Sequence, residues 1–360
     1  MNERISVVIK VTNACNLKCK YCYDANNKEK CFIKKEYIIK LFDILSTKYN
    51  EIQVIWHGGE PLLIGLDFYK WVVNMQKEYN VKFYNKMQTN GTLLTDEFAK
   101  FLIENDFHIG MSYDGGNEKT GRQMQDKTLE NRNLVIKYGS TCGFVNVVNA
   151  YNIDDLEKLY DFYKEQNIGV TFSCIFPSGN AKENTELLIK PEKYIEKLKI
   201  LFDKWLLEED TKSKVTPLDD YLNAYLGKCK KCSYGSCLFK WLCIDAFGNF
   251  YPCGRIMNEK YCMGHIDSIN NFDEIFNNDN YKSIVSEAIK RRNKCKNCDI
   301  YEICNGGCNS DALLSGSIKN NGHSMCIVNK EMFTYTKNAF DEIKSGKRDC
   351  NNKYILNKLK

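Results

Sequence analysis

The chain has 360 residues, with 51 Lys and Arg against 46 Asp and Glu, a formal net charge of +5, and 43% hydrophobic residues. This composition is that of an ordinary globular protein, and it excludes a disordered tail, a collagen-like chain and a coiled coil. The charge is too small to indicate a nucleic-acid partner. No apolar run reaches about 18 residues, so no membrane partner or span is expected. The N-terminal residues also lack the pattern of a signal peptide.

The 18 cysteines are the unusual feature. A chain without a signal peptide is expected in the cytoplasm, where thiols stay reduced and dense cysteines more often bind metal than form disulfides. Four of them lie within the first 31 residues, two lie in the middle of the chain, and twelve fall between Cys229 and Cys350. The sequence therefore predicts metal or cluster binding at both ends of the chain.

Between these two groups, short β-rich runs alternate with amphipathic helical segments. The predicted strands are Ile5–Val11, Ile52–His57, Val81–Gln88, His108–Tyr113, Phe144–Asn149 and Val170–Ile175. The predicted helices lie near 34–49, 66–79, 95–105, 125–138, 153–166 and 191–209. Six βα repeats imply parallel strands with right-handed crossovers, either in a partial barrel or in a doubly wound sheet.

From about residue 228 the periodicity gives way to short Cys- and Gly-rich pieces, which we expect to need a metal in order to pack. The predicted domains are therefore a βα domain over 1–215, a Cys-rich domain over 228–330, and a C-terminal helix with a basic tail over 331–360. The basic run Lys290–Arg292 is expected to be solvated.

Cys15, Cys19 and Cys22 form a C-x3-C-x2-C triplet directly after the first predicted strand. Three thiolates on one loop can hold three irons of a [4Fe–4S] cluster and leave the fourth iron open. A zinc site would need a fourth ligand, for which Cys31 is close enough in sequence. The carboxyl end of a first barrel strand is also where barrel chemistry occurs.

The second strand ends in His57-Gly58-Gly59-Glu60-Pro61. The glycines permit close backbone approach, and the carboxylate can accept from an ammonium group. His57 is expected to be a packing residue. Strands three and four end in Gln88-Thr89-Asn90-Gly91 and in Ser112-Tyr113-Asp114-Gly115, either of which could be an ordinary turn.

With its triplet after the first strand of a βα repeat, the sequence resembles the radical S-adenosylmethionine superfamily. The resemblance implies that the open iron binds the methionine group of the cofactor, whose reductive cleavage gives a 5′-deoxyadenosyl radical that abstracts hydrogen from a substrate. Gly58, Gly59 and Glu60 match the motif that holds the methionine amino group. The other cofactor contacts implied are Tyr21 beside the adenine, and Gln88, Ser112 and Arg122; Asn90 and Asp114 are weaker candidates.

The C-terminal array reads Cys295-x2-Cys298-x5-Cys304-x3-Cys308 and then Cys326, after Cys237-x5-Cys243 and Cys253. It does not reduce to the paired C-x2-C units of a zinc ribbon. Its spacing resembles the SPASM extension of radical enzymes that modify peptides. The resemblance implies one auxiliary [4Fe–4S] cluster on Cys237, Cys243, Cys253 and Cys308, and a second on Cys295, Cys298, Cys304 and Cys326.

Some cysteines keep more than one interpretation. Cys229 and Cys232 could replace Cys237 or Cys243 as a ligand pair. Cys262 has no predicted partner. The remaining cysteines are expected to be free thiols that behave as small apolar residues: Cys31, Cys142, Cys174 and Cys350.

The fold implied is an α/β partial (β/α)6 TIM-like barrel with a small Cys-rich iron–sulfur SPASM domain. The cofactors implied are S-adenosylmethionine and three [4Fe–4S] clusters, one of which binds S-adenosylmethionine. The expected partners are a peptide or protein substrate and an external electron donor such as flavodoxin or ferredoxin.

The overall plan is similar to that of the anaerobic sulfatase-maturating enzymes, which oxidise Cys or Ser to formylglycine. Those enzymes place a general-base Asp directly after the third cysteine of the first auxiliary site, whereas here Gly254 follows Cys253. Asp245 is near in sequence only. The leading hypothesis is therefore a radical maturase that installs a thioether, a carbon–carbon cross-link or another oxidative change in a ribosomally made peptide. Sulfatase maturation is the alternative. A multi-cluster electron carrier is a third reading, against which the Gly58–Pro61 motif argues.

Overall fold

The computed structural model describes residues 4–25, 29–209, 214–229, 231–314 and 325–360. The chain divides into two compact units, each made of several separate stretches of sequence. The first unit comprises the chain up to Ser112, together with Gln123–Cys142 and Cys237–Ile289. The second comprises Tyr113–Arg122, Gly143–Ser236 and Lys290–Lys360.

The first unit is built on a mostly parallel sheet. Its strands are β1 (Arg4–Thr12), β2 (Glu51–Gly58), β3 (Lys82–Thr89), β4 (His108–Ser112), β8 (Trp241–Ile244) and β9 (Phe250–Tyr251). Its helices are α1 (Lys35–Ser46), α2 (Leu66–Gln76), α3 (Asp96–Glu104), α4 (Gln125–Lys137) and α8 (Phe272–Phe276), with the start of α9 (Asp279–Cys295). The strand order is β4-β3-β2-β1-β8-β9, and only β9 runs antiparallel to its neighbour.

The second unit contains three parallel strands in the order β5-β6-β7, namely β5 (Gly143–Val148), β6 (Val170–Cys174) and β7 (Val215–Thr216). Its helices are α5 (Leu156–Glu165), α6 (Pro191–Leu207), α7 (Leu218–Tyr225), α10 (Tyr301–Cys304), α11 (Asn309–Leu314), α12 (Cys326–Lys344) and α13 (Lys353–Leu359). Helix α12 packs on α6 and α7.

The six predicted strands and six predicted helices are all present, with ends shifted by a few residues. The predicted fold class, an α/β fold of βα repeats followed by a Cys-rich region, is confirmed. Strand β1 is buried at nearly every position after Arg4, as expected for a parallel strand covered on both faces. Polar side chains inside such a strand therefore need a specific explanation.

The Cys-rich region does not form one compact unit by itself. Residues 237–289 belong to the first unit, where Ser6–Ile9 of β1 pair in parallel with Trp241–Ile244 of β8. Residues 290–330 belong to the second unit. The predicted domain boundaries near 215, 228 and 330 remain a prediction.

The basic run Lys290–Arg292 differs from its prediction. Lys290 is exposed, but only 1% of Arg291 is exposed. Its Nε donates to the Gly306 carbonyl at 2.8 Å, and a terminal guanidinium nitrogen donates to Asn309 Oδ1. Solvation was thus the wrong prediction for Arg291, because backbone and amide oxygens of the Cys-rich loop replace its water.

Over the part of the chain that the structure describes, none of the helices combines the length and the apolar character needed to cross a bilayer.

Candidate active site

The loop after β1 and the loop after β2 are joined through their backbones. The Gly59 amide donates to the Thr12 carbonyl at 2.8 Å, and the Glu60 amide donates to the Ala14 carbonyl at 2.8 Å. A Cβ at Gly59 would lie 2.0 Å from the Ala14 oxygen, and one at Gly58 would lie 2.3 Å from the Thr12 oxygen. Only glycine fits at these two positions, so the Gly-Gly pair fixes the segment that leads into Cys15.

The Cys triplet forms one compact turn in the first unit. The Cys22 amide donates to the Cys19 carbonyl at 3.2 Å, and the Leu17 amide lies 3.4 Å from Cys15 Sγ. Burial is the main cause that raises the pKa of Cys22 to about 11, and the charges of Asp24 and of the other two thiols add to it. Metal binding at Cys22 must therefore displace its proton.

Glu60 has no exposed surface, and three donors surround its carboxylate. The Leu62 amide and Thr89 Oγ1 donate to Oε1 at 3.0 and 2.6 Å, and the Asn90 amide donates to Oε2 at 2.8 Å. The side chain predicted to receive the methionine ammonium thus also ties the loop after β2 to the loop after β3.

Asn90 connects the loop after β3 to the Cys triplet. Its Nδ2 donates to Asn16 Oδ1 at 2.9 Å and lies 3.9 Å from Cys15 Sγ. Thr128 of α4 holds the Asn90 carbonyl with a 2.7 Å hydrogen bond. Asn90, a weaker candidate from the sequence, is therefore placed beside a predicted cluster ligand.

The remaining predicted cofactor contacts fall in both units. Gln88 Nε2 donates to Ser112 Oγ at 3.1 Å, so these two side chains lie together at the carboxyl ends of β3 and β4. Tyr21 is buried within the triplet. In the second unit, Arg122 Nε pairs with Asp114 Oδ2 at 3.1 Å, and Asp114 Oδ1 accepts from the Val147 amide at 2.8 Å.

In the first unit, Cys243 on β8 and Cys253 after β9 belong to the predicted first auxiliary set. Cys243 is fully buried beside Val8, and burial together with the charge of Cys253 raises its pKa. Cys262 packs against the same apolar group. The Arg255 amide lies 3.5 Å from Cys253 Sγ. Cys308 belongs to the second unit, so its assignment to this set remains a prediction.

The predicted second auxiliary set lies entirely in the second unit. The Cys298 amide donates to the Cys295 carbonyl at 2.9 Å. Burial is the main cause that raises the pKa of Cys304 to about 11, and Cys326, Cys295 and Cys298 add to it. These four thiols are therefore near enough to interact, as ligands of one cluster must be.

The alternatives left open by the sequence are placed as follows. Cys31 Sγ lies 3.5 Å from the Ala246 carbonyl. Cys229 lines a cavity of about 340 Å³ in the second unit, and Cys232 is exposed. Among the described residues, no three His, Cys, Asp or Glu side chains surround a point as ligands of a single metal ion do.

The Asp245 carboxylate accepts hydrogen bonds within the turn that contains it. Its Oδ1 accepts from the amides of Phe247 and Asn249, each at 2.9 Å. The carboxylate thus closes the connection between β8 and β9.

A buried polar group that the sequence analysis did not identify lies at the carboxyl end of β1. Lys10 pairs with Asp24 at 2.6 Å, with 3% and 8% of the two side chains exposed. The ring centroid of Tyr23 lies 5.2 Å from the ammonium, and Tyr23 Oη lies 3.4 Å from His57 Nε2. Burial, followed by the Lys10 charge, lowers the pKa of His57 to about 4. A lysine inside an apolar strand was the signal that could have located this group.

The residues present fit the cofactors that the sequence implies. Thiols are the protein ligands of iron–sulfur clusters, and three of them share one turn beside a glycine pair that leaves no room for a Cβ. Four more interact within the second unit. Ligands of a cubane bind separate iron atoms, so they surround a larger volume than ligands of one ion.

Comparisons with known proteins agree with this geometry. Residues 9–163 match the Radical SAM superfamily, and residues 232–299 match SPASM, an iron–sulfur cluster-binding domain. A Cys-type anaerobic sulfatase-maturating enzyme from Clostridium novyi is 31% identical over 334 residues, which cover 85% of this chain and 88% of that protein.

Two solved structures are also similar. The native enzyme anSMEcpe with bound AdoMet and a Kp18Cys peptide has a TM-score of 0.82 and 27% identity, covering 96% of this chain and 99% of that one. Streptococcus suis SuiB, bound to its precursor peptide SuiA, has a TM-score of 0.69 and 16% identity, covering 91% and 76%, and supports the fold alone.

Proposed function

Because this chain belongs to the radical SAM superfamily, carries a SPASM domain and is homologous to anaerobic sulfatase-maturating enzymes, we propose that it abstracts hydrogen from a residue of a peptide or protein. The product is an oxidative post-translational modification, of which a thioether or carbon–carbon cross-link is the leading candidate. The chain is a radical SAM enzyme, and its sulfatase-maturating relatives modify peptides or proteins.

When bound, S-adenosylmethionine and its [4Fe–4S] cluster supply the 5′-deoxyadenosyl radical that takes the hydrogen atom. Cys15, Cys19 and Cys22 would hold that cluster. Gly58 and Gly59 keep the adjoining loops in contact, and Gln88 and Ser112 offer polar atoms at the ends of β3 and β4. The further thiols of the Cys-rich region would hold the auxiliary clusters.

The observation that favours a cross-link over formylglycine is at Gly254. The resemblance to sulfatase-maturating enzymes places a general-base Asp at this position, and proton removal requires a carboxylate within hydrogen-bond reach. Here a Cβ at residue 254 would instead meet Val8 Cγ1 at 3.2 Å, Lys10 Cε at 3.6 Å and Cys243 Sγ at 3.8 Å. The aliphatic parts of Val8 and Lys10 and the thiol of Cys243 therefore stand where that acid would point.

Formylglycine formation remains the second candidate, since a specific comparison favours it. The sequence similarity extends over 88% of the Cys-type enzyme from Clostridium novyi. The similarity to the peptide-bound anSMEcpe structure likewise extends over almost the whole of both chains.

The first experiment tests the radical reaction itself. The anaerobically reconstituted protein, with reductant and S-adenosylmethionine, should release 5′-deoxyadenosine. The variant Cys15→Ala/Cys19→Ala/Cys22→Ala, reconstituted in parallel, should release none. If the iron-loaded wild type releases none even with candidate peptides present, the electron-carrier reading is supported and the proposal fails.

The second experiment separates the two modifications. Peptides encoded beside the gene and a Cys/Ser-x-Pro-x-Arg peptide are incubated with the active enzyme, then analysed by mass and by hydrazide capture of aldehydes. If the enzyme forms a cross-link, a peptide encoded beside the gene should lose two hydrogens, and no aldehyde should be captured. An aldehyde on the Cys/Ser-x-Pro-x-Arg peptide would instead establish formylglycine formation.

A further inference from the structure

The buried pair Lys10–Asp24 has no evident structural reason. Taking two charges out of water is unfavourable, and their mutual attraction need not repay that cost, so a buried pair is weak evidence for stability. Val8, two residues before Lys10 on the same face of β1, is an aliphatic residue with only 8% of its surface exposed. An aliphatic residue would fill this strand position without the desolvation cost. The pair therefore calls for a functional explanation.

The sheet register brings Lys10 to Cys243. Val8 of β1 pairs directly with Cys243 of β8. Lys10 lies two residues beyond Val8, and residues two apart on a strand point to the same face. A Cβ built at Gly254 would lie 3.2 Å from Val8 Cγ1, 3.6 Å from Lys10 Cε and 3.8 Å from Cys243 Sγ. The side chains of Lys10 and Cys243 thus both pack against Gly254.

The rest of the polar group keeps Lys10 in place. Asp24 fixes the ammonium at 2.6 Å, and the Tyr23 ring lies beside it at 5.2 Å. His57, the register neighbour of Lys10 on β2, accepts the Gly58 amide at Nδ1 at 2.7 Å. Gly254 has no side chain to displace the lysine.

We propose that Lys10, held by Asp24, is a positioning residue for the auxiliary cluster bound by Cys243 and Cys253, and that its ammonium offsets the negative charge of those thiolates. The inference rests on the proposed function for the ligand set alone. Charge and hydrogen bonding around the sulfurs set the reduction potential of such a cluster. A buried cation favours the reduced, more negative form, so Lys10 raises that potential.

The sign of each variant's effect follows from the charge that the variant removes. Lys10 Cε and Cys243 Sγ would lie 3.6 and 3.8 Å from the same Cβ built at Gly254, so the lysine side chain borders the thiol, and Asp24 pairs with its ammonium at 2.6 Å. Removing the ammonium should lower the potential, and removing the carboxylate should raise it.

The test measures auxiliary-cluster potentials by EPR-monitored redox titration, without substrate. The background is the Cys15→Ala/Cys19→Ala/Cys22→Ala variant, so that only auxiliary clusters remain. Lys10→Met should shift one potential to a more negative value, and Asp24→Asn should shift the same potential to a more positive one. Lys10→Arg, which keeps the charge, should leave it unchanged at equal iron content.

Several outcomes would overturn the inference. Potentials that stay unchanged in Lys10→Met, or that shift equally in Lys10→Arg, would show that charge is not the cause. Lys10→Met leaves Asp24 buried without its cation, so Lys10→Met/Asp24→Asn serves as the folding control. If Lys10→Met and Lys10→Met/Asp24→Asn both fail to assemble the cluster while Lys10→Arg assembles it, the result supports the need for a positive charge at residue 10. If Lys10→Arg fails as well, the result refutes that need.

A Cys243→Ala arm separates this inference from the proposed function. It should lose the iron of one auxiliary cluster. Full iron content would show that the ligand set is wrong and would overturn the role of Lys10. That result would leave the release of 5′-deoxyadenosine and the modified peptide as independent evidence on the proposed reaction.

Discussion

Thr89 donates a 2.6 Å hydrogen bond from Oγ1 to Oε1 of Glu60, a carboxylate with no exposed surface. With the Asn90 amide on the other oxygen, this contact joins the loops that follow β2 and β3. The motif residue expected to meet a ligand is therefore also part of the scaffold.

The first prediction concerns that carboxylate. Glu60→Gln replaces one acceptor oxygen with a donor that faces N–H and O–H groups, so we expect a loss of about 1–3 kcal/mol in the free energy of unfolding. Urea denaturation of the cluster-free protein measures it. Glu97→Gln is the matched control, because Glu97 is exposed and its change should stay within about 0.5 kcal/mol. Equal losses in both variants would contradict the scaffold role.

The second prediction concerns the glycine pair. Gly59→Ala would put a Cβ 2.0 Å from the Ala14 carbonyl, so the segment entering Cys15 must move. We expect the reconstituted variant to lose the iron of the first cluster and the binding of S-adenosylmethionine. Iron and sulfide analysis checks the loading, and equilibrium dialysis checks the binding. Gly169→Ala, whose Cβ would have 3.5 Å to its nearest neighbour, should keep both.

The third prediction concerns His57 and pH. Burial is the main cause that lowers its pKa from 6.5 to about 4. Between these values the unfolded chain binds a proton that the folded protein does not, so the free energy of unfolding should fall as pH falls through this window. The contribution is about 1–3 kcal/mol, given about 1.4 kcal/mol per unit of pKa shift.

Denaturation at pH 7.5 and at pH 4.5 gives the change in the free energy of unfolding with pH, for the wild type and for His57→Gln. The difference between these two changes is the contribution of His57. The wild type should lose more stability on acidification than the variant. Identical losses would mean that His57 titrates alike in the folded and unfolded chains.

The fourth prediction concerns Arg291. Arg291→Met leaves the Gly306 carbonyl and the Asn309 side chain without their buried donor. We expect a loss of roughly 2–4 kcal/mol in stability and reduced iron loading of the Cys-rich region. Lys290→Ala, at the exposed neighbouring position, should change stability by less than about 0.5 kcal/mol. Chemical denaturation and iron analysis measure the two effects.

Periodicity was sufficient to locate the βα repeats, because a buried parallel strand and an amphipathic helix each leave a local pattern in the sequence. The N-terminus of α3 shows how local this information is: Thr95, where the predicted helix 95–105 begins, caps the helix by accepting from the Phe98 amide at 3.2 Å. The triplet Cys15, Cys19 and Cys22 indicated iron–sulfur chemistry for a similar reason, since its members stand a few residues apart on a single turn.

Contacts between distant segments were not predictable in the same way. The salt bridge from Lys10 to Asp24, the register of Val8 with Cys243 and the burial of Arg291 depend on which strands and loops become neighbours. A lysine in a buried strand indicates a buried charge but not its partner, and an arginine in a basic helical run has the same local pattern whether its charge meets water or a buried oxygen.

The sequence by itself thus determined the α/β class, which follows from local periodicity, and indicated iron–sulfur chemistry through its cysteine spacing. The individual residues that would hold S-adenosylmethionine and the clusters follow from the family resemblance and stay a prediction. Only the tertiary structure decided that Glu60 joins two loops and that Lys10 stands over Gly254 beside Cys243. The physical reason is that burial and pairing of a charge are set by strand register and loop packing, which no short stretch of sequence contains.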